Sequence, residues 1–432
     1  MSKEVHLFIL WEKALDKRDK ILADITEHFT IVKQIEIEWT PALAASNFTR
    51  FCGTRLGNNL SFKIDNCGTG KFLVVVVRDE APIYEMRHTF HGDASVNVKM
   101  FEAKQCYRDW TGGGIRVHAT DNITETNHDL TLLTGKNVAD FLKTVITPDK
   151  ETIKKDLEGT TGWKSIEHLF YVLNNTVRYA IMRGYGELSS GNYIDHGDTD
   201  IMTDDYENLW LIVNAPKYNK NIKPKAKVTI GDETYLLDIW NCGFSGLNYF
   251  DPVWSKRMLD TAIIQSNGLK TLDPANDFYC LLYHCLTNKG YIADDYLPKL
   301  LRYKSEFGII ESDWNKILID FLKQHNYEVI RPIDTDNPFN LTNPYIEEYA
   351  LQNGGICVFS DSQIKIYENE NTLTIKCLSD RNHIDKNNLV RALTPKQLQM
   401  QTSQTTIIRT IYRRIIPKRV QRFISKVRKH LK

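Results

Sequence analysis

The sequence predicts an α+β protein in four parts, and three observations carry that reading. Over roughly the first 140 residues, short apolar runs alternate with stretches of helical period. The charged stretch "TPDKETIKKDLEGTTG" (147–162) then breaks the pattern, and a second set of strands begins beyond it. From Pro252 to about His325 the periodicity is helical. The expected parts are an α+β domain over 1–146, a second α+β domain over 160–250, a helical extension with a small β element over 251–395, and a basic amphipathic tail over 404–432.

In chain order, "HLFIL" from His6 predicts a strand, Ala14 to Phe29 a helix, "IVKQIEIEW" a strand and Pro41 to Phe51 a helix. Phe72 to Val77 predicts a strongly apolar strand, and Val96 to Trp110 reads as helix. After the charged break come a helix at Trp163–Leu173 and strands at Tyr179–Met182, Thr199–Met202, Leu209–Val213, Ala226–Ile230 and Tyr235–Trp240. Asp277 to Cys285 is the most apolar piece of the helical stretch, and 346–380 suggests the small β element.

With 42% hydrophobic and 25% charged residues in 432, the composition is that of a folded chain with two or three packed cores rather than a disordered one. No run of about 18 apolar residues and no basic-then-apolar start is present, so a cytoplasmic location is expected. Eight cysteines lie scattered without a C-x-x-C pair, which argues for reduced, buried thiols. Charge is divided unevenly. Arg409–Lys432 holds ten Lys/Arg and no Asp/Glu against a whole-chain charge of +1, so the preceding part carries −9.

The stretch "YAIMRGYGELSSGNYIDHGDTDIMTDD" (179–205) sets carboxylates beside residues that belong in a core. In a strand, Asp198 and Asp200 project to one face while Thr199 and Ile201 take the other. Two adjacent carboxylates repel, and a hard divalent cation, Mg²⁺ or Mn²⁺, offsets that repulsion. By the same reasoning, removing one carboxylate should leave metal-free stability level or higher. A third carboxylate, Asp238 in "YLLDIWN", sits inside an apolar strand, where an ionised group is costly without compensation. An Asp-x-Asp also occurs on ordinary solvated loops, and His284 and Lys289 on a core-building helix can be structural or in contact with substrate.

Asp198-x-Asp200 after a glycine-containing loop, with Asp238 about 40 residues on, resembles the nucleotidyltransferase fold of DNA polymerase beta type. More narrowly, "YAIMRGYGEL" and "DHGDTDIM" look like a signature of nucleotidyltransferase-like proteins of bacterial capsule and O-antigen biosynthesis. The resemblance implies Asp198, Asp200 and Asp238 as catalytic metal ligands and Arg183, Gly184 and Gly186 as the substrate-side loop. Gly184-Tyr185-Gly186 replaces the more usual Gly-Ser pair, which admits phospho-sugar or phospho-alditol transfer beside nucleotidyl transfer.

In the first domain, Arg87, Arg108 and Arg116 accompany a Gly112–Gly114 run, a composition suited to a phosphate-like anion. "RVHATDNITET" is similar to the His-Gly-Ser-Asp region of nucleoside diphosphate kinases, and the opening strand–helix–strand is compatible with their ferredoxin-like core. This implies His118 as nucleophile, with Thr120, Asp121 and Glu125 around it and Arg87 and Arg108 on phosphate. Trp11-Glu12-Lys13 stands where those kinases carry Lys-Pro-Asp, which favours a nucleotide-binding domain over a working kinase. An ordinary strand-end histidine with surface-paired arginines is the alternative.

In the tail, Ile416, Val420, Phe423, Ile424, Val427 and Leu431 recur at helical spacing between cations. Such a helix suits an anionic membrane surface, whereas nucleic acid would leave its apolar face unused. The expected function is metal-dependent nucleotidyl- or phospho-sugar/phospho-alditol transfer in bacterial cell-surface polysaccharide biosynthesis, at the inner face of the membrane. The donor would be a nucleotide or nucleotide-activated group and the acceptor a saccharide or lipid-linked saccharide. The alternatives are a nucleotidyltransferase-fold toxin or nucleotide-modifying factor, and a non-catalytic nucleotide-binding scaffold.

Overall fold

The computed structural model describes residues 3–57, 59–89, 92–145, 147, 149–184, 198–218, 225–242 and 250–332, with short strands at Gly355–Cys357, Ile364–Glu368, Leu373–Cys377 and Val390–Ala392. It is a mixed α and β protein in two compact units. The first comprises Met1–Arg178, Glu207–Pro216 and Val228–Thr234, and the second Tyr179–Tyr206, Lys217–Lys227 and Tyr235–Lys432.

The first unit is built on β1 (Glu4–Leu10), β2 (Thr30–Glu38), β3 (Phe72–Asp79), a hairpin of β4 (Tyr84–Thr89) and β5 (Gly92–Asn97), β6 (Val117–Ala119) and β7 (Lys150–Lys154). The main sheet has the order β6-β1-β3-β2-β7, and its first four strands are antiparallel. With helices α1 (Arg18–His28) and α4 (Val98–Trp110) making the two crossovers, this is the split βαβ order of a ferredoxin-like core. Phe8 and Leu10 of β1 and Val75 and Val77 of β3 pack with Ile21, Ile25, Met100 and Tyr107. Leu7, Ile9, Val74 and Val76 are buried as well, so both strands are apolar throughout. Helices α2 (Ala44–Phe51), α3 (Asn59–Cys67), α5 (Ile123–Thr134), α6 (Val138–Thr144) and α7 (Ile166–Thr176) complete the unit. Lys150–Lys154, inside the stretch read as a break, forms β7, an exposed and charged strand parallel to β2.

A sheet of order β10-β11-β12-β9-β8-β14-β13 is built mainly from the second unit. Its strands are β8 (Tyr179–Arg183), β9 (Thr199–Thr203), β10 (Lys217–Tyr218), β11 (Lys225–Ile230), β12 (Glu233–Asn241), β13 (Ile263–Ile264) and β14 (Lys270–Thr271). Helices Pro252–Asp260 and Pro274–Tyr283 each start on a proline behind an Asp cap, Asp251 and Asp273, whose carboxylates accept two backbone N–H bonds. A π-helical turn, His284–Lys289, follows, then helices Leu297–Glu306 and Trp314–His325. Ala180, Met182, Met202 and Trp240 from the sheet share a core with Trp254, Phe278, Leu282, Tyr283 and Phe321.

One expected strand is a helix. Leu209–Val213 lies in the helix Tyr206–Val213, with Asn208, Leu209, Trp210, Ile212 and Val213 buried. An unbroken apolar run has no period of its own to separate a buried strand from a buried helix. The thiols of Cys67, Cys280 and Cys285 are buried and free, and burial pushes the first two up to about 12 and the third to about 11.

Candidate functional site

Two elements of the second unit bring the carboxylates together. β9 and β12 run parallel in a register that sets Asp238 beside Asp200, so both side chains leave the same face. One oxygen from each of Asp198, Asp200 and Asp238 lies within 4.8 Å of the others. Asp200 and Asp238 are buried, and Asp198 is half-buried. An oxygen-only donor set of this kind fits a hard divalent cation such as Mg²⁺ or Mn²⁺.

Neighbouring groups hold the carboxylates in place. Arg183 Nε donates to Asp200 Oδ2 at 2.8 Å, and Trp240 Nε1 donates to Asp200 Oδ1 at 2.8 Å. The β8/β9 register shifts between Ile181 and Arg183, a bulge of the kind that re-aims a side chain. Lys225 Nζ lies 2.5 Å from Asp198 Oδ2. Burial works against the Lys225 ammonium, but the hydrogen bond and charge of Asp198, with Asp238 and Asp200 behind it, outweigh burial and raise its pKa.

Gly184 has φ +74°, and a Cβ there would come within 2.6 Å of the Asp198 carbonyl oxygen, so only glycine fits. Gly186 lies outside the described residues. His284 is half-buried, and burial followed by the nearby Arg183 guanidinium pushes it down to about 3, against the opposing pull of Asp200. Its imidazole is therefore neutral. Lys225 and Trp240 were not singled out from the sequence. Trp240 stands two residues beyond Asp238 in one strand, and that spacing was its only signal.

In the first unit, His118 lies on β6 beside Ile9 of β1. Its Nε2 is 2.9 Å from Asp129 Oδ2 and 3.7 Å from Glu125 Oε1, and the Phe51 ring packs edge-on against it at 5.8 Å. Asp129 also meets His128 Nδ1 at 2.9 Å. Glu125 and Asp129 share one face of α5 at i, i+4, behind the Asn122 cap. Burial raises the Glu125 pKa, whereas hydrogen bonds from His118 and His128 overcome burial and lower that of Asp129.

The arginines expected around His118 have partners of their own. Arg108 Nε donates to Val117 O at 2.9 Å, Arg116 donates to Thr111 O, and Arg87 pairs with Glu85 at 2.5 Å and Glu102 at 3.8 Å. Thr120 Oγ1 receives the backbone N–H of Leu7 at 3.0 Å, and Asp121 pairs with Lys104. Glu12, in the segment that replaces Lys-Pro-Asp, accepts the N–H groups of Thr69 and Gly70 at 2.8 and 2.7 Å.

Two histidines of this unit give its stability a pH dependence. His6 is fully buried, and burial lowers its pKa against the pull of Glu4, Asp79 and Asp121. Burial likewise lowers that of His168, against Glu158 at 3.2 Å. Both are neutral when folded, so unfolding below about pH 6.5 takes up protons. Stability is full above that value and falls by up to about 1.4 kcal/mol per group per pH unit as pH drops towards the folded pKa. The urea midpoint is expected to fall steadily from pH 7 to pH 5 and less steeply in His6→Gln; parallel pH profiles of the two proteins would discount His6.

No family model matches the chain, and no curated protein matches it. Among solved structures, the chain is similar to an orthorhombic crystal form of the Aquifex aeolicus nucleoside diphosphate kinase. The identity is 16% and the TM-score 0.21, over 30% of this chain and 93% of that one, so the likeness carries no argument about function.

Proposed function

We propose that the second unit transfers a phosphorus-containing group, as a metal-dependent nucleotidyl- or phospho-sugar/phospho-alditol transferase with a nucleotidyltransferase fold. The observation that carries this reading is the convergence of Asp200 and Asp238 on neighbouring strands with Asp198 just ahead of the first, one oxygen of each inside 4.8 Å. The three would hold Mg²⁺ or Mn²⁺, which when bound neutralises phosphate charge and aligns an attacking hydroxyl. The chain's own part is positioning. Arg183 and Trp240 hold both oxygens of Asp200, and the buried strands beneath keep the three carboxylates from spreading. Lys225 places a cation beside Asp198, where a phosphate would enter. The test is a screen of nucleoside triphosphates, sugar nucleotides and alditol nucleotides, with and without Mg²⁺, for release of pyrophosphate or nucleoside monophosphate.

A second reading, a non-catalytic scaffold, has one observation in its favour. Arg183 and Lys225 already pair with two of the three carboxylates, which eases their repulsion without a metal. Absence of Mn²⁺ uptake by the full-length protein would select it.

The donor and acceptor proposed from the sequence are a nucleotide-activated group and a saccharide or lipid-linked saccharide of bacterial cell-surface polysaccharide. For the first unit the proposal is a nucleotide-binding domain with His118 facing the ligand. The basic tail, 404–432, lies outside the described residues. Among the described residues, no helix is long and apolar enough to cross a membrane. The tail is proposed to dock the protein on the anionic inner face of the membrane. Deleting 409–432 should release the protein from anionic liposomes at physiological salt without changing turnover of a soluble acceptor; a full-length protein that floats with neither anionic nor neutral liposomes would end the membrane role.

A further inference from the structure

The helix Pro274–Tyr283 does not end in a cap but runs on into the π-helical turn His284–Lys289, closed by Gly290 at φ +79°. The turn contains no proline that would account for it. Such turns widen the backbone ladder and recur at functional sites. Its buried side, Cys285 and Leu286, belongs to the core cluster that holds Ala180 and Met182 of β8, and Met182 directly precedes Arg183. At its two ends, both half-buried, the His284 ring lies 6.0 Å from the Tyr296 ring and steeply inclined to it, and Lys289 Nζ lies 4.6 Å over the Tyr296 ring. His284 and Tyr296 both feel the charges of Arg183 and Asp200.

We propose that His284, Lys289 and Arg183 form the phosphate-binding wall of the carboxylate site, taking the diphosphate portion of a nucleotide-activated donor. This rests on the phosphoryl-transfer reading above. Two cations whose charges both reach one imidazole suit an anion carrying several charges, and Arg and Lys together provide fork and point-charge contacts. The Tyr296 ring holds Lys289 in place by attracting its ammonium and restricting its rotamers. A neutral His284 donates a hydrogen bond to phosphate oxygen without adding a third positive charge.

The probe is inorganic pyrophosphate, titrated into the full-length protein in the presence of Mn²⁺, with Mn²⁺ binding measured separately. Lys289→Gln and His284→Leu should each weaken pyrophosphate about ten- to a hundredfold, the range for a lost charge-assisted hydrogen bond. Tyr296→Leu should weaken it as well and Tyr296→Phe should not, because phenylalanine keeps the ring. Mn²⁺ affinity and the thermal midpoint should stay near wild type in Lys289→Gln and Tyr296→Phe. Pyrophosphate affinity unchanged in both Lys289→Gln and His284→Leu would overturn the proposal. So would a wild-type protein that takes up Mn²⁺ but not pyrophosphate, and in that case the carboxylate reading survives. Failure to take up Mn²⁺ at all would bring down both.

Discussion

Asp238→Asn is expected to lower metal-dependent turnover by about 100- to 1,000-fold while leaving the fold and its metal-free stability in place. The substitution keeps the shape of the side chain and removes one charge from a set of three carboxylates within 4.8 Å, so repulsion falls and a cation loses a ligand. Asp200→Asn is expected to behave differently. Both oxygens of Asp200 are acceptors, one from Arg183 and one from Trp240, and an amide turns one of them into a donor facing a donor. The Arg183 side chain is only 13% exposed, and losing the counter-charge of a pair this buried costs about 3 kcal/mol or more. The expectation of level or rising metal-free stability is therefore kept as the prediction for Asp238 and reversed for Asp200. Turnover on whichever donor the screen identifies, Mn²⁺ affinity and metal-free thermal midpoints separate the two cases. Unchanged turnover in both variants would remove the catalytic assignment.

The contrast between these two residues shows how far the candidate site was legible in the sequence. Strand period alone puts Asp198 and Asp200 on one face, and an aspartate inside "YLLDIWN" is conspicuous because an apolar strand tolerates it poorly. What surrounds them depends on register. That Asp238 lies beside Asp200, and that Arg183 lies across from it, follows from pairings between strands about 40 and 17 residues away, which no local pattern encodes. Lys225 was hidden for the same reason.

The environment of His118 was harder to read. Three arginines close in sequence suggest an anion site, but Arg87 pairs with Glu85 two residues away on its own strand, and Arg116 turns back to Thr111 O. The residues that do meet His118 are Glu125 and Asp129, whose i, i+4 spacing on an Asn-capped helix was the available signal. In the fold, the apolar strands of the first unit were legible one by one, whereas the ferredoxin-like core was expected only through the resemblance of the opening strand–helix–strand to nucleoside diphosphate kinases. The helix Tyr206–Val213 and strand β7 were not legible, since one is an unbroken apolar run and the other a charged edge with almost nothing buried.

Arg50→Met is expected to destabilise the first unit by about 3–5 kcal/mol, a fall of roughly 10 °C in its thermal midpoint. Arg50 is 1% exposed, and burial lowers its pKa to about 10, with Glu158 opposing the fall. Its guanidinium donates from Nε to Leu211 O at 2.9 Å, from Nη1 to Thr160 Oγ1 at 2.5 Å, and from Nη2 to Glu158 O at 2.6 Å and Ile212 O at 3.0 Å. Leu211 and Ile212 belong to the last turn of the helix Tyr206–Val213, whose carbonyls have no partner within the helix, and a cation at that end also meets the negative end of the helix dipole. Trp163 Nε1 takes the next carbonyl, Val213 O, at 2.8 Å, and Asn47 joins Thr160 to Asp156 through bonds of 2.8 and 2.6 Å. Methionine keeps the apolar stem but leaves three buried carbonyls and a hydroxyl short of a donor. None of these acceptors lies within 1–146. A fragment cut there keeps Arg50 and loses every group that compensates its burial, so it should not fold cooperatively, whereas 1–216 retains them all. Far-UV circular dichroism and urea titration of the two fragments decide the point: a 1–146 fragment that unfolds cooperatively at the midpoint of 1–216 would show that the guanidinium clamp contributes little to the stability of the unit.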